Sequence, residues 1–310
     1  MSQTEKQQEC GQSRVSLYDE VTARIVAQLE QGCVPWVRPW QASGSAVVLP
    51  VNAATARRYT GINILILWEA ATERGFVASR WLTFRQALSL GGNVRKGERG
   101  TTACYADSFI PRDEQERAKE QGDEPSRVPF LKRFTLFNVE QCENLPAELL
   151  EQPRTVSETE IHADADALIA ATGADIRVGG GEAFYHPADD YIRVPPQTSF
   201  FDAINFYRTC CHELSHWAGH KSRLARDLTS RFGSSGYARE ELVAELSCAF
   251  LCAHLNIVPT VRHADYIGNW LTVLRDDNRA IFNAASLASK AAEFILAFRE
   301  AKTDAAESAA

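Results

Sequence analysis

The chain has 310 residues, 45% of them hydrophobic and 24% charged, and a formal net charge of −7. This balance excludes a disordered or fibrous chain and leaves material for one large or two ordinary globular cores. No apolar run approaches the roughly 20 residues that a membrane span needs. Met1 to Cys10 lack the apolar core of a signal peptide, so a cytosolic protein with no membrane partner is expected.

The first segment with structure is 17–31, whose apolar spacing predicts an amphipathic helix ended by Gly32. Pro35-Trp36-Val37-Arg38-Pro39-Trp40 reads as an extended loop, because each proline disfavours helix in the residue before it. A short strand is expected near 47–51, a helix over 62–74, and a strand-to-helix segment from Trp81 to Ala87. Gly91 to Gly100 is a glycine-rich basic turn. Strands are expected at 101–110 and 128–139, with Pro111–Arg127 as an exposed insertion lacking apolar periodicity. Between residues 31 and 105 nine basic side chains face only three acidic ones in an otherwise acidic protein. Aromatics (Trp36, Trp40, Tyr59, Trp81, Phe84) alternate with these arginines. Flat faces for stacking and positive charge along a track are what a single-stranded nucleic acid requires. The same residues read equally well as a tryptophan core beneath a solvated basic face.

Eight cysteines occur and none forms a Cys-x-x-Cys pair, so zinc ribbons and redox motifs are excluded. After a linker-like stretch from Pro146 to Thr155, the second half begins with a helix over 157–172 and a strand at Asp175–Val178. A hairpin turning at Pro187–Asp190 follows. Next comes His212-Glu213-Leu214-Ser215-His216. Ser199–Asp202 has the form of a capping box, which predicts a helix start there. Ile204, Tyr207, Cys211, Leu214 and Ala218 make an apolar stripe, and Gly219 is the predicted stop. On that helix His212 and His216 lie one turn apart on one face, able to share one ion, with Glu213 as general base beside it.

A catalytic metal takes a third protein ligand. Ser222 occupies the position where a metzincin would carry a histidine. The helix predicted at 238–254 instead places Glu241, Glu245, Cys248 and Cys252 on one face that is otherwise small and apolar. Buried carboxylates need a cation or donors. Glu241 is therefore the expected third ligand and Glu245 the acceptor behind a ligand histidine, with one zinc ion as cofactor, other divalent metals being alternatives. Glu240 reads as a solvated residue at a helix start. His220, Tyr237, His263 and Tyr266 are all candidates to stabilise a transition state. Helices at 264–275 and 279–299 close the chain, followed by a frayed tail.

These stretches together resemble the ArdC family of plasmid antirestriction proteins. In the first half the likeness is carried by Pro35-Trp36 to Trp40, Arg58–Asn63, Trp81–Ala87, Val94–Gly100 and Phe137–Gln141. In the second it is carried by His212–His216 with Gly219-His220, by Tyr237–Glu245, and by Tyr266 through Ala291. The resemblance implies an α+β chain of two domains. A single-strand-DNA-binding domain over 17–145, like that at the N-terminus of TraC-type primases, would precede a zincin-like metallopeptidase domain over 157–300. A disordered 1–16, a linker at 146–156 and a tail at 301–310 complete the expected layout. It further implies DNA contacts from Trp36, Arg38, Trp40, Arg57, Arg58, Tyr59, Asn63, Trp81, Arg85, Gln86, Arg95, Lys96 and Arg99. The implied function is binding of single-stranded plasmid DNA, and double-stranded DNA more weakly, to protect it from host restriction during conjugative establishment. Two alternatives stand beside it: a zinc peptidase recruited by DNA to cut a host restriction-system protein, and a DNA-binding module whose metal is purely structural.

Overall fold

A computed structural model describes residues 16–37, 48–151, 156–231, 233–260 and 266–307. Residues 1–15 of the expected disordered N-terminus, most of the loop carrying Arg38 and Trp40, four residues of the expected linker, and His263 lie outside the described residues, whereas Ser16 is described and caps the first helix.

Helix α1 (Leu17–Glu30) starts at Ser16, whose hydroxyl accepts from the Asp19 amide at 3.1 Å. Leu17, Val21, Ile25 and Leu29 form its buried stripe. Strand β1 (Val51–Asn52) leads to helix α2 (Ile62–Arg74), framed by Gly61 and Gly75, both at positive φ. Strand β2 (Arg80–Leu82) runs into the six-residue helix α3 (Phe84–Ser89), which Thr83 and Gln86 close with a reciprocal capping box. After the short strand β3 (Asn93–Val94), strands β4 (Thr101–Phe109) and β5 (Val128–Asn138) pair antiparallel from Thr101↔Leu136 to Phe109↔Val128. The insertion between them carries a helix. Helix α4 (Arg112–Gln121) lacks an apolar stripe but is built largely of strong helix formers and ends at Gly122 in the left-handed region. The sheet order is β1-β2-β5-β4, with β1 parallel to β2, and β3 pairs with β6 (Cys142–Glu143) apart from it.

The second half opens with α5 (Glu158–Thr172), started by a Ser157–Glu160 capping box. A three-stranded sheet follows, ordered β7 (Asp175–Val178), β9 (Tyr191–Val194), β8 (Phe184–His186), so β8 is an edge strand. Helices α6 (Ile204–Ala218), α7 (Ser235–His254), α8 (Ile267–Asp276) and α9 (Ala280–Glu307) complete the chain. The box expected at Ser199–Asp202 does not form. Ser199 ends a separate 3-10 turn, and Asp202 accepts from the Ile204 amide at 3.2 Å instead. Helix α9 continues past the expected end, as its Ala, Glu and Lys content favours. Its stretch Ala280–Arg299 also departs from the hydropathy reading: it is long and apolar enough to cross a membrane by composition, yet 56% of it is buried in protein.

One apolar core crosses from the first half into the second. Trp36 packs on Trp270 with centroids 5.7 Å apart, Tyr18 meets Phe282 edge-on, and Thr22 donates to the Asn278 carbonyl at 2.7 Å. The Gly61 amide donates to Ser289 Oγ on α9 at 2.8 Å. No disulfide occurs among the described cysteines, most of them buried.

Candidate metal centre and basic face

Helix α6 is buried over most of its length and carries His212, Glu213 and His216 toward a cleft of about 190 Å³. The cleft is walled by Ala183 to Tyr185 and Pro187 on the edge-strand side, by Asp227, Leu228 and Ser230, and by Tyr237, Glu240 and Glu241 at the start of α7. Helix α7 is buried nearly all round, which is why the sequence shows almost no amphipathic bias there.

His212, His216 and Glu241 each present one ligand atom, and the three atoms lie within 4.8 Å of one another. The two Nε2 atoms stand 3.2 Å apart, and the Glu241 oxygens are 3.5 and 3.4 Å from His212 Nε2 and His216 Nε2. Two imidazoles and one carboxylate on a shared buried face are a donor set that fits a divalent cation. The rear nitrogens face carboxylates. His212 Nδ1 is 3.8 Å from Glu245, which is 2% exposed, and His216 Nδ1 is 3.1 Å from Glu240. Glu240 is thus no solvated helix-start residue. Its side chain is only 12% exposed and is held by Arg226, whose Nη2 and Nε donate to its two oxygens at 2.7 and 3.0 Å. The signal that could have revealed Glu240 is its adjacency to Glu241; nothing in the spacing points to Arg226.

Burial disfavours a charge on His216, but hydrogen bonds to Glu240 and Glu241 outweigh it and raise the imidazole to about 10. Burial likewise opposes ionisation of Glu241, and the hydrogen bonds from His212 and His216 hold its carboxyl well below the usual range.

Of the four candidate stabilisers, Tyr237 lines the cleft. Burial, the hydrogen bond to the Tyr266 hydroxyl 3.4 Å away and the neighbouring Glu241 push its phenol far up, so it stays a proton donor. Tyr266 sits behind it. His220 is engaged with Ser222 at 2.8 Å and faces Asp190.

The first half corrects several expected DNA contacts. Trp36 and Trp81 are fully buried, at 0% exposure, so neither ring can meet a base. Trp81 lies on β2 between two neighbouring strands and packs edge-on to Phe76. Asn63 is spent on the Cys104 backbone, and Gln86 on the α3 cap and Asn52. Tyr59 is half-buried with its hydroxyl accepting from Asn52. Arg57, Arg58, Arg85, Arg95, Lys96 and Arg99 are exposed. Phe84, 50% exposed at the start of α3, stands next to Arg85 and one capping turn from the loop bearing Arg57, to which Gln86 and Asn52 tie it. Among the described residues it is an exposed aromatic beside these arginines.

Two family models match: the N-terminal domain of anti-restriction factor ArdC over residues 15–137, and a zincin-like metallopeptidase over residues 163–287. Protein y4eC of Sinorhizobium fredii is 40% identical, with 92% of each chain aligned. The chain belongs to the ArdC antirestriction family. The crystal structure of ArdC from plasmid R388, metal-free, superposes with a TM-score of 0.76 at 39% identity, covering 92% of this chain and 98% of that one. The Mn(II)-bound form of R388 ArdC gives a TM-score of 0.74 at 40% identity. DNA primase TraC of Escherichia coli is 38% identical over 91% of this chain, and this ArdC-family chain spans only 27% of that primase's length. The two-part α+β layout, an ArdC-type first half followed by a zincin-like second half, is therefore that of the family.

Proposed function

We propose that this chain binds single-stranded DNA on the exposed basic face of its first half and shields incoming plasmid DNA from host restriction. In the same reading its second half holds one divalent ion on His212, His216 and Glu241. The observation that carries this is the relation to R388 ArdC, 39% identical over 92% of the chain. It is supported by the exposed arginines around Phe84, which offer phosphate contacts beside a stacking face. Zinc suits the two-histidine, one-carboxylate donor set, and the Mn(II) of the R388 protein argues for a site that also accepts harder ions.

A second reading is favoured by Glu213, which lines the cleft at 4% exposure where a purely structural metal would have no use for it. When bound, the ion would supply Lewis acidity and a water of lowered pKa. Glu213 would accept a proton from the attacking water on its carboxylate and later return it to a leaving amine. The Tyr237 phenol would donate to oxygen developing charge on a carbonyl. The open edge of β8 beside the cleft could hold an extended peptide by backbone hydrogen bonds. On this reading DNA recruits a peptidase to a host restriction-system protein.

The deciding experiment is conjugative delivery of unmodified plasmid into restricting recipients expressing wild type, Glu213→Gln, or an Arg57/Arg85/Lys96 alanine triple, with expression and folding checked. Protection by Glu213→Gln and failure of the triple would place the function in DNA binding. Failure of Glu213→Gln with DNA affinity intact would require hydrolysis. Equal protection by all three would overturn the DNA-binding proposal.

A further inference from the structure

The segment joining α6 to α7 does more than wall the cleft. Arg226, 4% exposed at its side chain, crosses the C-terminal end of α6. Its Nη2 donates to the Ser215 carbonyl at 2.6 Å as well as to Glu240, whose Oε1 in turn meets His216 Nδ1 at 3.1 Å. Gly219 makes room for it. A Cβ at 219 would lie 2.8 Å from Arg226 Nη2 and 2.9 Å from its Cζ. The backbone there has φ −75°, where any residue is comfortable, so the glycine answers to the guanidinium and not to a turn.

We infer that Arg226 is a positioning residue for the metal centre: through Glu240 it orients the His216 ring so that Nε2 faces His212 and Glu241. A carboxylate accepting from Nδ1–H leaves Nε2 as the lone-pair nitrogen, and a carboxylate anchored by a two-point fork cannot swing away from that task. The chain runs from helix end to ligand without touching the ion. It also joins the centre to the cleft wall, because Asp227 and Leu228 follow Arg226 directly. The inference rests on the reading of His212, His216 and Glu241 as metal ligands.

The test is Zn2+ affinity of the full-length protein, by competition with a chromogenic chelator, with the melting temperature of the metal-free protein as folding control. Glu240→Ala and Arg226→Met should each weaken binding about 10- to 100-fold. The double variant should be no weaker than the worse single, since both break one chain. Glu240→Gln keeps an oxygen for Nδ1–H and should recover part of the loss. Gly219→Ala removes no polar group, yet by displacing the guanidinium it should weaken binding as Arg226→Met does. Wild-type affinity in Arg226→Met and Gly219→Ala, or losses that simply add in the double variant, would overturn the inference. Absence of Zn2+ and Mn2+ binding by wild type would instead sink the ligand assignment beneath it.

Discussion

Asn63 holds both backbone polar groups of Cys104: its Nδ2 donates to the carbonyl and its Oδ1 accepts from the amide, each at 2.8 Å. The side chain acts as a one-residue partner strand on the outer edge of β4, covering an edge that would otherwise offer itself to another chain. Asn63→Ala should therefore cost about 1–3 kcal/mol of stability in urea unfolding, from two unsatisfied backbone groups. Its affinity for single-stranded DNA should stay at the wild-type value. A variant as stable as wild type that binds DNA poorly would return Asn63 to the DNA face.

The aromatics of the first half divide by burial. Phe84→Ala should lower single-strand affinity by about 1–3 kcal/mol, the usual worth of one base stacked on a ring, with the melting temperature unmoved. Trp81→Ala empties a fully buried site and should destabilise by about 3–5 kcal/mol. Fluorescence anisotropy with a labelled oligonucleotide beside a thermal melt separates the two. Loss of affinity on Trp81→Ala in a folded protein, with Phe84→Ala silent, would contradict the assignment.

Phosphate contacts have a signature in salt. Each arginine that meets a phosphate should reduce the slope of log affinity against log salt by about 0.7 when replaced. Arg57→Ala and Arg85→Ala are expected to do this for oligonucleotides of any sequence. An unchanged slope in both would remove them from the DNA track.

Removal of the acidic ligand should separate metal from fold. Glu241→Gln keeps the size of a buried side chain, 4% exposed, but weakens the anionic donor. Metal content by elemental analysis after dialysis should fall below that of Glu213→Gln, which should retain its ion. Equal retention would disqualify Glu241.

His254 gives a pH dependence away from the metal centre. Burial first, then the positive charges of Arg58 and Arg299, push its imidazole down to about 4, against a weaker opposing pull from Asp164. The unfolded chain, with a histidine near 6.5, takes up a proton that the folded chain refuses. Stability contributed by this group is thus full above about pH 6.5 and is lost as pH falls toward 4, by about 1–3 kcal/mol in all. His254→Gln should flatten the wild-type fall in urea stability over that window. Parallel curves for the two proteins would refute the shift.

Much of the fold was legible because local signals agreed with tertiary ones. The helix over 62–74 was read to the residue, bounded by glycines that adopt positive φ. The convergence of His212, His216 and Glu241 was legible too, since two helical periodicities and one misplaced carboxylate face sufficed. What was not legible depended on partners distant in sequence. Trp36 looks like a loop aromatic until Trp270, on α8, covers it. Glu240 looks like a dipole-compensating acid until Arg226 folds back over it. Residues 111–127 lack an apolar stripe because α4 is solvated over most of its surface, so its helicity comes from propensity and not from periodicity.

The packing of α1 on the far end of the chain bears on how this protein is made. Thr22 and its acceptor on Asn278 are separated by 256 residues. At a synthesis rate of about 5–20 residues per second, α1 waits roughly 13–50 s on the ribosome before α8 and α9 emerge to cover it. For that interval Leu17, Val21, Ile25 and Leu29 lack the cover that α8 and α9 give them. A chain cut before α8 would lose that cover for good, leaving part of the α1 stripe to water.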